Sequence, residues 1–455
     1  MLYKYSTPDG DYNFLDRKHG ARKARNVFTI IVGKNGTGKS RLLRDIAIEY
    51  LGRHGDVKKF SGVPKIREGA FAGIAHSTLS ASKLICVSTS PFDKFPLIKR
   101  NFVPYYSYLG LRGLTTNNMG LAYIARIIYT LADAASQSSA HSRSIGDVLE
   151  YLNYEPVMNV TFGHSSHIFL SRLMSSDRPR DEIDEFTSRP GMFSADYLAQ
   201  MRELLGADDR TFRRFMKAAA RLAEWPKRTL IEMRLISSGV EMARNSALSP
   251  EDVVSLGRFG MLRLKDVGLH KKGSDTPLMI SEMSSGEQSV IMGLLGIGSQ
   301  LKDGALVCID EPETCLHPEW QERYIQLLSQ IFTHYENCQF IVATHSPQMV
   351  AQLPNDGCYV MSMEDGIAHH AKEFSKRSID FQLATVFKAP GFKNEYLSRI
   401  ALNIFVEVAK ARAFSVENLE NLRTLERAIP DLRRDDPLLE IIESVREMFK
   451  AYGGH

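Results

Sequence analysis

Two stretches of the chain, roughly residues 1–114 and 258–372, alternate short apolar runs with helix-like patterns. Thr29–Val32, Leu84–Val87, Leu306–Ile309 and Gln339–Ala343 are nearly uninterrupted apolar runs rich in β-branched residues. Such runs suit buried strands of an α/β core. The texture changes between the two stretches. In 115–257 the apolar positions of Ala122–Ala135, Ser194–Leu205, Asp209–Ala223 and Thr229–Asn245 recur at helical spacing. Pro179, Pro190 and Gly191 punctuate a polar connector within that segment. Beyond about residue 385 the pattern is helical to the end, with breaks at Pro390-Gly391 and between Pro430 and Pro437. The pattern therefore predicts an α/β core in two parts (1–114 and 258–372), a helical insertion (115–257) and a helical C-terminal extension (373–455).

Composition narrows the class without naming a partner. A chain of 455 residues, 44% hydrophobic and 24% charged, has the balance of a folded globular protein of more than one domain. The net charge of +4 permits a nucleic-acid partner but does not argue for one. Met1–Asn13 is too polar for a secretory signal, and the longest apolar runs, such as Val290–Ile297, are too short to span a bilayer. The cysteines Cys86, Cys308, Cys315, Cys338 and Cys358 are odd in number and form no C-x-x-C pair. Reduced thiols and a cytoplasmic location, away from any membrane, are the expectation.

Chemistry enters at Gly33-Lys34-Asn35-Gly36-Thr37-Gly38-Lys39-Ser40, which follows the Thr29–Val32 strand and opens a helix. This is the full P-loop pattern in its required strand-loop-helix setting. Gly33, Asn35, Gly36 and Gly38 let backbone N–H groups close on phosphate oxygens at a helix N-terminus. Lys39 is placed to neutralise β/γ-phosphate charge and Ser40 to bind Mg2+, with ATP as the nucleotide. A second apolar strand ends in Asp310-Glu311. Asp310 at that strand end can reach the magnesium shell beside Ser40, and Glu311 can orient and deprotonate the attacking water.

Met283-Ser284-Ser285-Gly286-Glu287-Gln288, just before the acidic strand, resembles the signature sequence of ABC ATPases, with Met for the usual Leu and Ser285 for the first Gly. The resemblance implies that Ser284, Ser285 and Gly286 bind the γ-phosphate held by the P-loop of a second subunit, so that ATP joins a head-to-tail dimer. The same residues also read as a capping box, Ser284 with Glu287, and both readings can hold. Thr344-His345-Ser346, after the Gln339–Ala343 strand, resembles the family's switch histidine, which implies that His345 contacts the γ-phosphate. Pro312-Glu313-Thr314-Cys315-Leu316-His317-Pro318 resembles the E-x-x-L-H-P D-loop of SMC-like, RecF-like and OLD-family ATPases, which serve DNA repair and phage defence rather than transport. The whole layout is similar to ATPase subunits of anti-phage systems of the PtuA type, found in Septu and retron operons. That implies a separate partner effector, a nuclease in those systems. One departure stands out. No glutamine occurs between Ser40 and Gln137, so the family's magnesium-linking glutamine has no counterpart, and Ser88, Ser90 or Asp93 is the available substitute.

Other clusters carry weaker chemistry. Arg210, Arg213, Arg214, Lys217 and Arg221 share one face of a helix, as a row that can follow DNA or RNA phosphates or as a solvated face. Arg17, Lys18, Arg22, Lys23 and Arg25 form a second basic cluster. No Toprim-like carboxylate set follows residue 372, and Asp56-Val57-Lys58 is the nearest approach to a nuclease motif. Asp181-Glu182 and Asp184-Glu185 read as solvated, and Asp435-Asp436 as a turn. Regulation of a partner effector in anti-phage defence is the expectation, with direct DNA binding in repair or recombination as the alternative.

Overall fold

The computed structural model describes residues 1–8, 10–15, 25–55, 60–61, 80–98, 103–112, 119–165, 167–188, 195–225, 230–244 and 246–453. Arg17, Lys18, Arg22, Lys23 and Asp56-Val57-Lys58 lie outside these residues. In chain order the strands are β1 (Lys4–Thr7), β2 (Gly10–Asn13), β3 (Val27–Val32), β4 (Phe60–Ser61), β5 (Leu84–Ser88), β6 (Leu97–Ile98), β7 (Tyr106–Gly110) and β8 (Tyr154–His164). They continue with β9 (Ile231–Ile236), β10 (Gly239–Met242), β11 (Leu262–Lys271), β12 (Pro277–Met279), β13 (Leu306–Asp310), β14 (Gln339–Ala343), β15 (Cys358–Ser362) and β16 (Ala368–His370). The helices begin with α1 (Lys39–Arg53), α2 (Met119–Gln137), α3 (Ser139–Tyr151), α4 (His167–Ser175), α5 (Pro179–Ser188), α6 (Ala195–Leu205), α7 (Asp209–Ala223) and α8 (Pro250–Arg258). After them come α9 (Ser285–Gln300), α10 (Pro318–Ile331), α11 (Pro347–Ala351), α12 (Ile379–Phe381), α13 (Glu395–Ala411), α14 (Val416–Ala428) and α15 (Leu438–Tyr452).

The apolar runs assemble into a seven-stranded sheet of order β16-β15-β3-β14-β13-β5-β7, parallel except for β16. β3, β5, β13 and β14 are buried along their whole length, as continuous apolar strands require. Their period of two divides the side chains between two cores. Phe28, Ile30 and Val32 face a large cluster with α2, α3 and α9, while Val27 and Ile31 face α1. Each fully buried Leu or Ile in these layers contributes about 2 kcal/mol by removal from water. Ala343 pairs with both Ile31 and Asp310, and Asp310 also pairs with Ser88, so the strand ends align at one edge. The carboxyl edge of such a sheet is where α/β proteins build their sites.

A second, antiparallel sheet of order β10-β9-β8-β11-β12 lies against the first through the shared large cluster. Here the structure departs from the helical reading of 115–257. Thr229–Asn245 holds the hairpin β9–β10, with Ile231, Met233 and Leu235 buried and Glu232 and Arg234 exposed. β8, also within that segment, pairs along β11, so insertion and core share one sheet. The polar connector is likewise helical: Pro179 opens α5, Ile183 is fully buried and Glu182 pairs with Arg172 at 2.7 Å.

The C-terminal helices α13, α14 and α15 pack on their own core around Leu397, Ile404, Leu425 and Ile442. Asp436, in the break before Pro437, is a buried clasp rather than a solvated turn: it accepts from the backbone N–H groups of Lys393 (2.9 Å) and Leu438 (3.0 Å). Among the described residues, no helix is long and apolar enough to cross a membrane.

Candidate functional site

The P-loop takes the backbone shape that its glycines permit. Gly36 (φ 81°) and Gly38 (φ 98°) lie in the left-handed region, and Gly38 is the N-cap of α1. A Cβ on Gly33 would lie 2.9 Å from Thr37 Oγ1, so a side chain there would collide with the loop itself. Lys39, 4% exposed, donates from Nζ to the Gly33 carbonyl (2.8 Å), and its Nζ lies 3.2 Å from His345 Nδ1. An ammonium donating to Nδ1 leaves the ring proton on Nε2, which sits 3.6 Å from Glu311 Oε1. Ser40 Oγ donates to Asp310 Oδ1 at 3.0 Å. The pairing of β3 with β14, and of β14 with β13, thus brings residues 39, 40, 310, 311 and 345 together.

Electrostatics mark the place as built for missing partners. Burial, reinforced by the carboxylates of Glu311, Asp93 and Glu313 against the Ser40 hydrogen bond, raises Asp310 to about 7. Burial lowers Lys39 to about 8 although Glu311, Glu313 and Asp310 all favour its charge. The His345 imidazole is also lowered, by burial first and the Lys39 ammonium second, with Glu311 opposing. A cation beside Ser40 and Asp310, and an anion over Lys39 and the loop N–H groups, would each relieve the penalty of these buried charges. The residues therefore fit Mg2+ and a nucleotide phosphate chain. No cluster of three or more His, Cys, Asp or Glu suited to a metal occurs among the described residues.

Glu311 itself has a left-handed backbone (φ 48°), unusual for a non-glycine residue and typical of side chains re-aimed at functional sites. Its N–H donates to the Ala343 carbonyl (2.9 Å), which fixes the turn off β13.

The signature residues are held by a helix cap and by the loop after the acidic strand. Ser284 caps α9, its hydroxyl accepting from the Glu287 N–H (3.3 Å) while Glu287 Oε2 accepts from the Ser284 N–H (3.1 Å). The capping box is therefore real, and it leaves Ser285 at the first helical position. Gly286 lies against the D-loop: a Cβ there would be 2.8 Å from the Cys315 carbonyl oxygen. Asp93, a candidate for the missing glutamine, is engaged elsewhere. Its side chain is fully buried, accepts from Tyr108 Oη at 2.5 Å and lies 3.7 Å from Arg112. Ser88, paired in register with Asp310, uses its hydroxyl to accept from the Ser90 N–H (3.1 Å).

The basic row on α7 is partly dismantled. Arg210, Arg213, Arg214 and Lys217 are exposed, but Arg221 donates to the buried Asp252 carboxylate at 2.6 Å. Arg25, from the other basic cluster, turns to Thr333 and Glu336. Glu313 and Gln321 have no role in the motif reading, yet Glu313 accepts the His345 N–H and Gln321 accepts from the Ser346 hydroxyl. The only sequence signal for Glu313 was its place in E-x-x-L-H-P.

Residues 127–351 match the family model described as "AAA domain, putative AbiEii toxin, Type IV TA system". The match runs from α2 through β14 to the end of α11; Lys39 and Ser40 precede it. Among curated proteins, the chain is 30% identical over 99 residues to "Retron Ec83 probable ATPase" of Escherichia coli, covering 19% of this chain and 18% of that one. It is 29% identical over 129 residues to "Retron Vc95 probable ATPase" of Vibrio cholerae, covering 26% of this chain and 24% of that one. The matches thus span about a fifth to a quarter of those relatives' length. Among solved structures, an Smc head bound to the C-winged helix domain of ScpA aligns with 81% of this chain and 95% of that chain, at 16% identity and a TM-score of 0.28. The P-loop, acidic strand and histidine strand are gathered at one sheet edge, and parts of the chain are similar to an AAA-domain family and to retron probable ATPases.

Proposed function

We propose that the protein hydrolyses ATP as a head-to-tail dimer and passes that state to a partner effector in anti-phage defence. The observation that carries the catalytic part is the chain of contacts Glu311–His345–Lys39 beside the Ser40–Asp310 pair. In this reading the P-loop N–H groups and Lys39 bind the triphosphate, and Ser40 and Asp310 hold Mg2+. The ion supplies charge neutralisation on the phosphates. Glu311 takes the proton of the water that attacks the γ-phosphorus, and ADP leaves on the opposite side with the charge of the broken P–O bond. The Nε2 proton of His345 is poised to donate to a γ-phosphate oxygen. Ser284, Ser285 and Gly286 would serve the nucleotide of a second copy, through the start of α9.

The defence assignment draws on the retron relatives named above, and the effector, a nuclease in this reading, belongs to a separate chain. Two measurements test it. The purified protein should release phosphate from ATP, and Glu311→Gln should cut turnover by about 100-fold or more while keeping ATP affinity. Wild-type turnover in Glu311→Gln would remove the base from the scheme. Affinity purification of that variant with ATP from its native cells should bring down a nuclease; recovery of the bare protein would sink the effector reading.

The second reading is direct nucleic-acid binding. It rests on Arg210, Arg213, Arg214 and Lys217, four exposed cations on one helix. DNA-stimulated turnover that vanishes when these four are changed to Glu would favour it.

A further inference from the structure

Glu313, half-buried with its Oε2 shielded from solvent, lies in the turn after the acidic strand, and the catalytic scheme does not use it. Its Oε1 accepts the backbone N–H of His345. Gln321 makes a second bridge: its Nε2 donates to the Leu316 carbonyl (2.9 Å) and its Oε1 accepts from Ser346 Oγ (2.7 Å). That same hydroxyl caps α11 by accepting from the Met349 N–H. Two side chains, one of the D-loop and one of the helix after it, therefore hold residues 345 and 346. The loop end of this strut is itself anchored. The Leu316 N–H donates to the Glu313 carbonyl (2.9 Å), Cys315 is left-handed (φ 78°), and the Cys315 carbonyl meets the Cα face of Gly286.

We propose that Glu313, seconded by Gln321, is a positioning residue for His345, and that it ties the placement of His345 to the seating of the signature Gly286 on the Cys315 carbonyl. This rests on the reading of His345 as the group that meets the γ-phosphate. The alternative, an acid that only stabilises its loop, is separable by chemistry. What His345 needs from residue 313 is an acceptor oxygen at the right place. Glutamine keeps that oxygen in the same volume, and alanine removes it. A shift of an ångström in a polar group at a reacting centre costs up to about 100-fold in rate. The consequence is directional: a change at the signature end of a chain would reach its own histidine through the 312–317 loop without touching bound nucleotide.

The test uses the full-length protein with Glu313→Ala, Glu313→Gln, His345→Ala and the Glu313→Ala/His345→Ala double variant. Turnover and ATP affinity are measured, together with hydrogen exchange of the His345 amide in protein labelled with 15N-histidine. Glu313→Ala should lower turnover about 10- to 100-fold with ATP affinity within about threefold, and Glu313→Gln should recover most of the rate. In the His345→Ala background the Glu313→Ala change should cost nothing more, because the two residues act as one. The His345 amide should exchange faster in Glu313→Ala and stay protected in Glu313→Gln. Additive losses in the double variant, or an unchanged His345 amide in Glu313→Ala, would overturn the proposal. If Glu313→Ala does not fold, the near-isosteric Glu313→Gln still decides through its amide protection and rate. A wild-type protein without ATP turnover would defeat the proposed function instead, and the amide exchange would still decide the strut.

Discussion

The two sheets of this molecule share a core but differ in how openly the chain announces them. In the parallel sheet, β3, β13 and β14 are buried on both faces, so each appears as an unbroken apolar run that no amphipathic helix would produce. In the antiparallel sheet, β9 has one face in the core and one in water, with Glu232 and Arg234 between Ile231, Met233 and Leu235. Ile231 with Leu235, and Ile236 with Val240, are also apolar pairs four residues apart, so a helical reading of the segment is available too. Only pairing along β8 decides between the two readings. The difference teaches where chemistry was readable: the strands that deliver phosphate-site residues are those whose burial leaves no second reading.

The sharpest break between the regions is expected at Lys39. Lys39→Ala removes the one cation buried in the P-loop, and ATP binding should fall by more than about 100-fold in an equilibrium titration. Binding within threefold of wild type would detach the P-loop from nucleotide. In the other sheet the expected effect is on stability alone. Met233→Asp puts an unpaired carboxylate into the core and should cost more than about 3 kcal/mol by urea unfolding, whereas Arg234→Gln should stay within about 0.5 kcal/mol. Equal costs at the two positions would restore the helical reading of that segment. At the seam between signature and D-loop, Gly286→Ala has two opposed effects. Alanine favours a helix by about 1 kcal/mol over glycine, but its Cβ would meet a backbone oxygen at 2.8 Å. Because backbone cannot swing aside as a side-chain end can, overpacking should win. A net loss of about 1–2 kcal/mol and about tenfold slower turnover are expected from unfolding and phosphate-release assays.

The smallest effect concerns Lys83, a buried cation between β5 and α9 that no motif contains, whose ammonium meets Gln300 and whose pKa burial pushes down to about 8. Its folded value lies below its unfolded one of 10.5, so the unfolded chain binds more protons between those values. The penalty for burying the charge is therefore full below pH 8 and fades as pH rises toward 10.5. Unfolding free energy should rise by about 1–2 kcal/mol over the first pH unit and a half above 8, and Lys83→Met should flatten that rise. An identical slope in the variant would assign the titration elsewhere.

Much of the site was legible residue by residue, because Lys39, Ser40, Asp310, Glu311 and His345 each stand at the end of an apolar run or at a helix start. What stayed hidden depends on contacts across the fold. The Glu313 and Gln321 bridges to residues 345 and 346 join positions 32 and 25 apart in the chain, and nothing in spacing reveals them. Pro179 read as a break because proline ends helices in their interior, yet it opens α5, where its missing N–H costs nothing. Arg221 was separated from its row by Asp252, a partner 31 residues away.

In the proposed function, ATP held by the P-loop cluster of one copy and the signature of another joins two copies of this chain. Native mass measurement of Glu311→Gln with ATP and Mg2+ is set beside the same protein with ADP. A two-copy particle, or a multiple of it, should form with ATP, dissociate with ADP and be lost on adding Ser284→Arg. A mass unchanged between ATP and ADP, in a variant shown to bind both, would contradict it.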